Sequence, residues 1–422
     1  MQSIHLLYVI HSLFPLTIKK NGGDSDMRKK IKIFTILLSF AVSVAMSFTV
    51  YAEMNIPNEI YVDGESICFK GIFYADNTLT SSGSSPSRSE LTVMNVIPVK
   101  EISLIKKERR YVIPGGELIG ITLTTDGVVV VATDSFESTA GTVSPAKAAG
   151  IKPGDVLISA NGKRIKSNEE LGEIINSADG KPVEMKLRRG NADFTARITP
   201  EKTITTKTYK CGMWIRDYTG GIGTLTYSDL SSGIMAALGH GIYDTDTSLL
   251  LPVGEGSLRR ATVSSVTKGQ PGEAGEIGGI IGKNVYGSLD TNTDEGIYGH
   301  LSVLPEKTEE VPVAGKSEVH EGAAQIICTV ENGEKRYYDI NIDKVIYTSS
   351  GNKSITLRVT DPKLIAITGG IVQGMSGSPI IQDGMLAGAV THVFINNPRG
   401  GYGVFAEDML KLSDSLATDD AA

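Results

Sequence analysis

The hydrophobic pattern first shows a basic stretch, Met27-Arg28-Lys29-Lys30-Ile31-Lys32, followed by an uncharged, mostly apolar run over residues 33–50. Eighteen residues is the border between a long signal core and a membrane-spanning helix, so a helical leader is predicted, either cleaved or retained as an anchor. Val50-Tyr51-Ala52 has the small-residue spelling of a cleavage site, and residues 1–26 have no role in that design. Beyond the leader the period shortens. Ile60-Tyr61-Val62 and Ile67-Cys68-Phe69 read as strands, residues 80–89 as a Ser-rich linker, and residues 93–99 and 102–105 as two further strands. Over residues 111–200 strand and helix patterns alternate. Leu118-Ile119-Gly120-Ile121 reads as a strand, and Asp126-Gly127 as a hairpin turn before Val128-Val129-Val130-Val131. Residues 144–150 read as a short helix stopped by Gly150, Asn168 as the cap of a helix through Ile175, and residues 183–187 as a strand. From residue 201 onward only short apolar or alternating runs remain, broken by glycine and charge, which predicts an all-β region.

Composition sharpens this picture. Forty-seven glycines in 422 residues, few aromatics and 41% hydrophobic residues suit many short strands around real cores. The pattern divides the chain into a leader (1–52), a β segment with linker (53–110), an α+β module (111–200) and a β domain (201–422). Setting aside residues 1–52, with six basic and two acidic side chains, leaves 35 basic and 46 acidic ones, about −11. That balance argues against nucleic acid as a partner and against an anionic membrane patch. Cys68, Cys211 and Cys328 are too few and too scattered for a zinc site or a disulfide framework, so no metal or cofactor is expected. Residues 278–283 are one residue short of a phosphate loop, and Asn284 stands where Ser or Thr is needed, so that reading is rejected.

The chemistry lies in Gly374-Met375-Ser376-Gly377-Ser378-Pro379. A glycine two residues before a serine allows a sharp turn that aims the N–H groups of Gly374 and Ser376 into one hole, where an oxyanion could be stabilised. As a bland alternative, the same spelling suits a tight turn between buried strands. A nucleophile needs a base, and beyond the leader only His240, His300, His320 and His392 exist. His240, between Gly239 and Gly241, is the uncrowded one and precedes the serine, as in chymotrypsin-type enzymes. His392 reads as a packed or pocket-wall residue on a strand, His320 as solvated, and His300 as a second candidate. For a third member several aspartates lie between His240 and Ser376. Asp361, followed by Pro362, has a ready structural role as a helix cap.

Two resemblances follow from these residues. The run Ala146 to Ile158, with Pro153-Gly154-Asp155, then Asn161-Gly162-Lys163, resembles a PDZ domain. That resemblance implies that Leu118, Ile119, Gly120 and Ile121 form the loop and strand edge that hold a peptide end. The whole series, above all residues 214–227, 238–243 and 368–394, resembles the stage IV sporulation protein B peptidases of endospore formers. It implies a chymotrypsin-like double β-barrel serine endopeptidase with His240, Asp361 and Ser376 as its triad. Asp361 then stands only fifteen residues before the serine, a departure from the wider fold class. The resemblance further implies export into the space between forespore and mother-cell membranes and self-cleavage under PDZ control. The substrate implied is a membrane-anchored regulator of an intramembrane metalloprotease that processes a sigma factor, with self-association through the PDZ module as a further contact. The competing reading is a non-catalytic PDZ adaptor on an inert β platform.

Overall fold

The computed structural model describes residues 24–56, 58–62, 73–75, 87–106, 109–303, 309–331, 333–347 and 351–419. The expectations for residues 1–23, for Ile67-Cys68-Phe69 and for most of the Ser-rich stretch lie outside them. Helix α1 (Asp24–Asn55) contains the apolar run, and its segment Lys30–Glu53 is long and apolar enough to cross a membrane. The segment after it forms a small sheet of β1 (Glu59–Val62), β2 (Phe73–Ala75), β3 (Ser87–Val93) and β4 (Ile97–Lys106), in the order β1-β4-β3-β2. Residues 93–99 are therefore not one strand. Met94 and Asn95 both take left-handed φ, 53° and 58°, the geometry of a two-residue hairpin turn. Buried Lys100 donates to the carbonyls of Ala52 (3.4 Å) and Ile56 (2.5 Å), a cation at the C-terminal end of the leader helix.

A second compact unit holds residues 110–314, 318–345 and 349–422. Its PDZ portion comprises the latter half of β5 (Leu118–Thr133), β6 (Val156–Ala160), helix α2 (Asn168–Ser177), β7 (Val183–Arg189) and β8 (Ala192–Ile198). The sheet runs β8-β7-β6-β5 and continues into β9 (Met213–Asp229). Val128, Val130, Leu157, Leu171, Ile175, Met185 and Leu187 bury one core, which also takes in Cys211. Asp155, fully buried, is held by Arg189 at 2.6 and 2.7 Å and accepts from the Lys152 amide, which accounts for the aspartate of the Pro-Gly-Asp turn. The cap of α2 is Ser167, not Asn168. Its side chain accepts from the Glu170 amide (3.2 Å) while Glu170 reaches back to the Lys166 amide, a reciprocal cap that Asn168 is one residue too late to form.

Two expectations for this region are overturned by β5. No hairpin forms at Asp126-Gly127. The chain passes straight through, because β9 pairs with β5 from Met213–Thr133 to Thr224–Leu118 and fills the place of the expected returning strand. Leu118, Ile119, Gly120 and Ile121 cannot form an open peptide-holding edge. All four pair on one side with β9, Ile119, Gly120 and Ile121 pair on the other with β11 (Val253–Thr267), and the three side chains are buried.

The rest is β structure in two halves. In one, β9, β10 (Ile234–Ala237), β11, β12 (Glu276–Ser288) and β13 (Gly296–His300) extend the sheet around Ile119, Ile121, Leu225, Met235, Leu258 and Ile297. The other is a closed barrel of β14 (Gly322–Glu331), β15 (Glu334–Val345), β16 (Ile355–Val359), β17 (Pro379–Gln382), β18 (Met385–Phe394) and β19 (Asn397–Phe405), in the order β14-β15-β16-β19-β18-β17. Short helix α3 (Pro362–Thr368) leaves the barrel, and α4 (Ala406–Asp419) ends the chain. Ala236 and Tyr298 from the first half, Leu386, Ala389 and Val404 from the barrel, and Met409 from α4 share a core that locks the halves together. The described residues are thus mainly β: an apolar N-terminal helix, a PDZ module, an extended sheet and one closed six-stranded barrel.

Candidate active site

The loop carrying Ser376 enters β17 through two glycines with left-handed φ, Gly374 (97°) and Gly377 (95°). A Cβ on Gly377 would lie 2.1 Å from the Thr224 carbonyl oxygen and 2.5 Å from the Leu238 amide nitrogen, so only glycine fits there. Strand β9 fastens this loop in three places. Thr224 Oγ1 donates to the Gly374 carbonyl (2.8 Å), the Thr224 amide to the Ser376 carbonyl (2.9 Å) and Thr226 Oγ1 to the Gly377 carbonyl (2.9 Å). Both threonines are buried. In sequence Thr224-Leu225-Thr226 reads as a strand with one wet face, so their role was missed. The only signal was their spacing of two, which puts both hydroxyls on one side.

The two serines of the motif are unequal. Ser378 is fully buried and donates to the Met375 carbonyl (2.7 Å), while Ser376 is only half-buried. The amides of Met375, Gly377 and Ser378 donate to the carbonyls of Val372, Val390 and Met375. Among the described residues, the amides of Gly374 and Ser376 donate to no protein acceptor. These are the two donors that an oxyanion hole requires.

His240 follows β10 on a tight loop in which Leu238 and Gly239 both have left-handed φ, 68° and 67°. A leucine there is strained, and such strain persists only where surrounding contacts fix it. They do here: Leu238 abuts Gly377, and a Cβ on Gly239 would meet Thr391 Cγ2 at 3.0 Å. Beyond His240, Asn292 clasps the loop, accepting from the Ile242 amide and donating to the carbonyls of Ile242 and Leu251 (2.8–2.9 Å). Asn292 is a further site residue that the sequence did not mark. The structure therefore brings the His240 and Ser376 loops together across the junction of the two halves.

The imidazole is set by its nearest neighbour. His240 Nδ1 lies 2.8 Å from the Gly241 carbonyl, and since a carbonyl only accepts, Nδ1 carries the proton and Nε2 the lone pair. Burial lowers the pKa of His240 below its ordinary value, and the Gly241 carbonyl partly offsets this. Ser376 Oγ donates to the Thr391 carbonyl (2.8 Å) rather than to His240. The ring of His392 lies against that of His240, centroids 4.9 Å apart and tilted by 38°. Burial, His240 and Lys353 push His392 down to about 4.

Asp361 is not brought to the imidazole. Its Oδ1 accepts from the amides of Lys363 (2.8 Å) and Leu364 (3.0 Å) as the N-cap of α3. Among the described residues no hydrogen bond or ion pair joins Asp361 to His240. His300 and His320 are exposed and lie 2.8 Å from Asp290 and Asp383. Cys211 and Cys328 are both free and buried, with the Cys211 thiol pushed up to about 12 by burial. Cys68 lies outside the described residues.

Comparison with known proteins gives two family matches. Residues 207–410 match the family described as SpoIVB peptidase S55, and residues 138–189 match the PDZ domain family. Among curated proteins, serine protease HTRA1 of Xenopus laevis is 39% identical over 59 residues, 14% of this chain and 12% of that protein. Zinc metalloprotease RasP of Geobacillus kaustophilus is 28% identical over 101 residues, 24% of this chain and 21% of its own length. The chain thus spans only about a fifth or less of the length of the curated relatives it matches. Among solved structures, the PDZ domain of an SdrC-like protein from Listeria monocytogenes is 24% identical (22% of this chain, 90% of that one, TM-score 0.18). The active form of the Rv3671c protease from M. tuberculosis is 13% identical (46% and 72%, TM-score 0.24). Residues 207–410 thus match the SpoIVB peptidase S55 family, and a PDZ module lies ahead of most of that region.

Proposed function

We propose that this chain is a serine endopeptidase in which Ser376 is the nucleophile and His240 the general base. The amides of Gly374 and Ser376 would hold the oxyanion. The observation that carries the reading is the packing of Gly377 onto Leu238, which seats the serine loop against the histidine loop and leaves two amides uncommitted. The tautomer of His240 supports it, because a lone pair on Nε2 is what proton abstraction needs. In the resting arrangement the Ser376 hydroxyl is parked on the Thr391 carbonyl, and rotation about χ1 toward His240 precedes attack. The proton of Oγ then passes to Nε2 as Oγ bonds the peptide carbonyl, and returns to the leaving amine when the peptide bond breaks.

The family match over residues 207–410 and the apolar leader helix support the wider setting: export or anchoring at the membrane, self-processing, and cleavage of a membrane-anchored regulator in sporulation signalling. The substrate is then a peptide or protein, and the PDZ module bears on its selection.

Treatment of the folded, full-length protein with a fluorophosphonate tests the chemistry. Label is expected on Ser376, persisting in Ser378→Ala and absent from Ser376→Ala, with peptidase activity falling by roughly 10⁴ or more in the latter. Folded protein that takes no label would instead identify an inert platform serving a PDZ adaptor.

A further inference from the structure

We infer that His392 is a positioning residue, its ring laid against the face of His240 to hold the general base in line with Ser376. The inference rests on the proposed Ser–His chemistry. It starts from what fixes His240. One hydrogen bond, to the carbonyl of the next residue, sets the tautomer but leaves the ring free to tilt about that contact. Asp361, which would supply a second hold in a triad, is committed to capping α3. The aromatic contact His240 makes is with His392, at 4.9 Å between centroids.

His392 is well placed for this. It sits in an irregular stretch of β18, where the register with β19 shifts between Val390 and Val393, and it directly follows Thr391, whose carbonyl receives the Ser376 hydroxyl. One two-residue step of the chain therefore touches both members of the pair. Nδ1 of His392 is buried and has no hydrogen-bond partner among the described residues. A hydrogen bond from Nδ1 does not account for its place, whereas the contact of the ring with His240 does. The titratable and charged groups acting on it are His240 and Lys353, and with burial they keep the ring neutral near pH 7.

The test uses full-length protein carrying His392→Ala or His392→Phe, with turnover of a peptide substrate and NMR titration of His240. The titration is made in the Ser376→Ala background. His392→Ala is expected to lower kcat roughly 10- to 100-fold with KM little changed, because the base is displaced rather than the substrate. The same variant should move the His240 titration up toward its ordinary value as water reaches the ring. His392→Phe supplies a ring without nitrogens and should keep both readouts near wild type. Wild-type kcat and an unmoved His240 titration in His392→Ala overturn the inference. So does a His392→Phe variant as impaired as His392→Ala, since the nitrogen would then be what matters. Should wild-type protein show no turnover, the peptidase reading fails, and an unmoved titration in His392→Ala would separately overturn the contact.

Discussion

At the scale of the residue, the two histidines of the site predict how the molecule responds to acid. As the proposed base, His240 must be neutral to take a proton, and burial holds its pKa below the ordinary 6.5, so the acid limb of kcat/KM should inflect below pH 6.5. His392, at about 4 when folded and near 6.5 when unfolded, binds its proton more readily in the unfolded chain. Its contribution to stability is therefore present above pH 6.5 and lost as pH falls from 6.5 toward 4. Thermal unfolding across that range should show a shallower fall for His392→Phe than for wild type. Asp361 poses a different question, because its carboxylate is also a helix cap. Asparagine caps about as well as aspartate, so Asp361→Asn should leave Tm nearly unchanged, whereas Asp361→Ala should lose about 1 kcal/mol. The activity of the stable asparagine variant then measures what the negative charge itself does.

At the scale of the element, β9 is the backbone of the site. It carries Thr224 and Thr226, whose hydroxyls satisfy two carbonyls of the serine loop from a buried position. Thr224→Val keeps the shape and removes the donor, leaving the Gly374 carbonyl unsatisfied at about 1–3 kcal/mol. Loss of stability should come with loss of kcat, since the same carbonyls hold the loop that carries Ser376. Gly377→Ala should be worse: the added methyl meets backbone atoms of Thr224 and Leu238 that cannot move aside, at a left-handed φ. Destabilisation on the order of 3 kcal/mol and loss of fluorophosphonate labelling are expected, read by denaturant unfolding and by mass spectrometry.

At the scale of the whole molecule, the PDZ module and the peptidase halves are not beads on a string. β5 begins between β9 and β11 in the peptidase sheet and ends between β9 and β6 in the PDZ sheet. Cutting at residue 200 would remove a central strand and expose the edges of two others. A fragment of residues 201–422 is therefore expected to lack cooperative unfolding and near-ultraviolet circular dichroism, while residues 110–422 retain both. A fragment 201–422 that unfolds as sharply as the longer chain would show that β5 is dispensable.

Local chemistry made much of this legible in the sequence. The apolar leader, the Pro-Gly-Asp turn, the Asp361-Pro362 cap and the glycine-flanked serine each depend on neighbours within a few residues, where conformational preference and capping act. What the linear pattern could not carry was partnership across long separations. Nothing near Leu118 or Asp126 says that β9, some ninety residues later, will pair with β5 and take the place of the hairpin. The hold of Thr224 and Thr226 on the serine loop, the clasp by Asn292 and the contact of His392 with His240 likewise join segments brought together only when the two halves close on a common core. Their side chains look ordinary in sequence, since a buried hydroxyl and an exposed one are written the same way. The tertiary fold decided which of them lie beside the Ser376 and His240 loops.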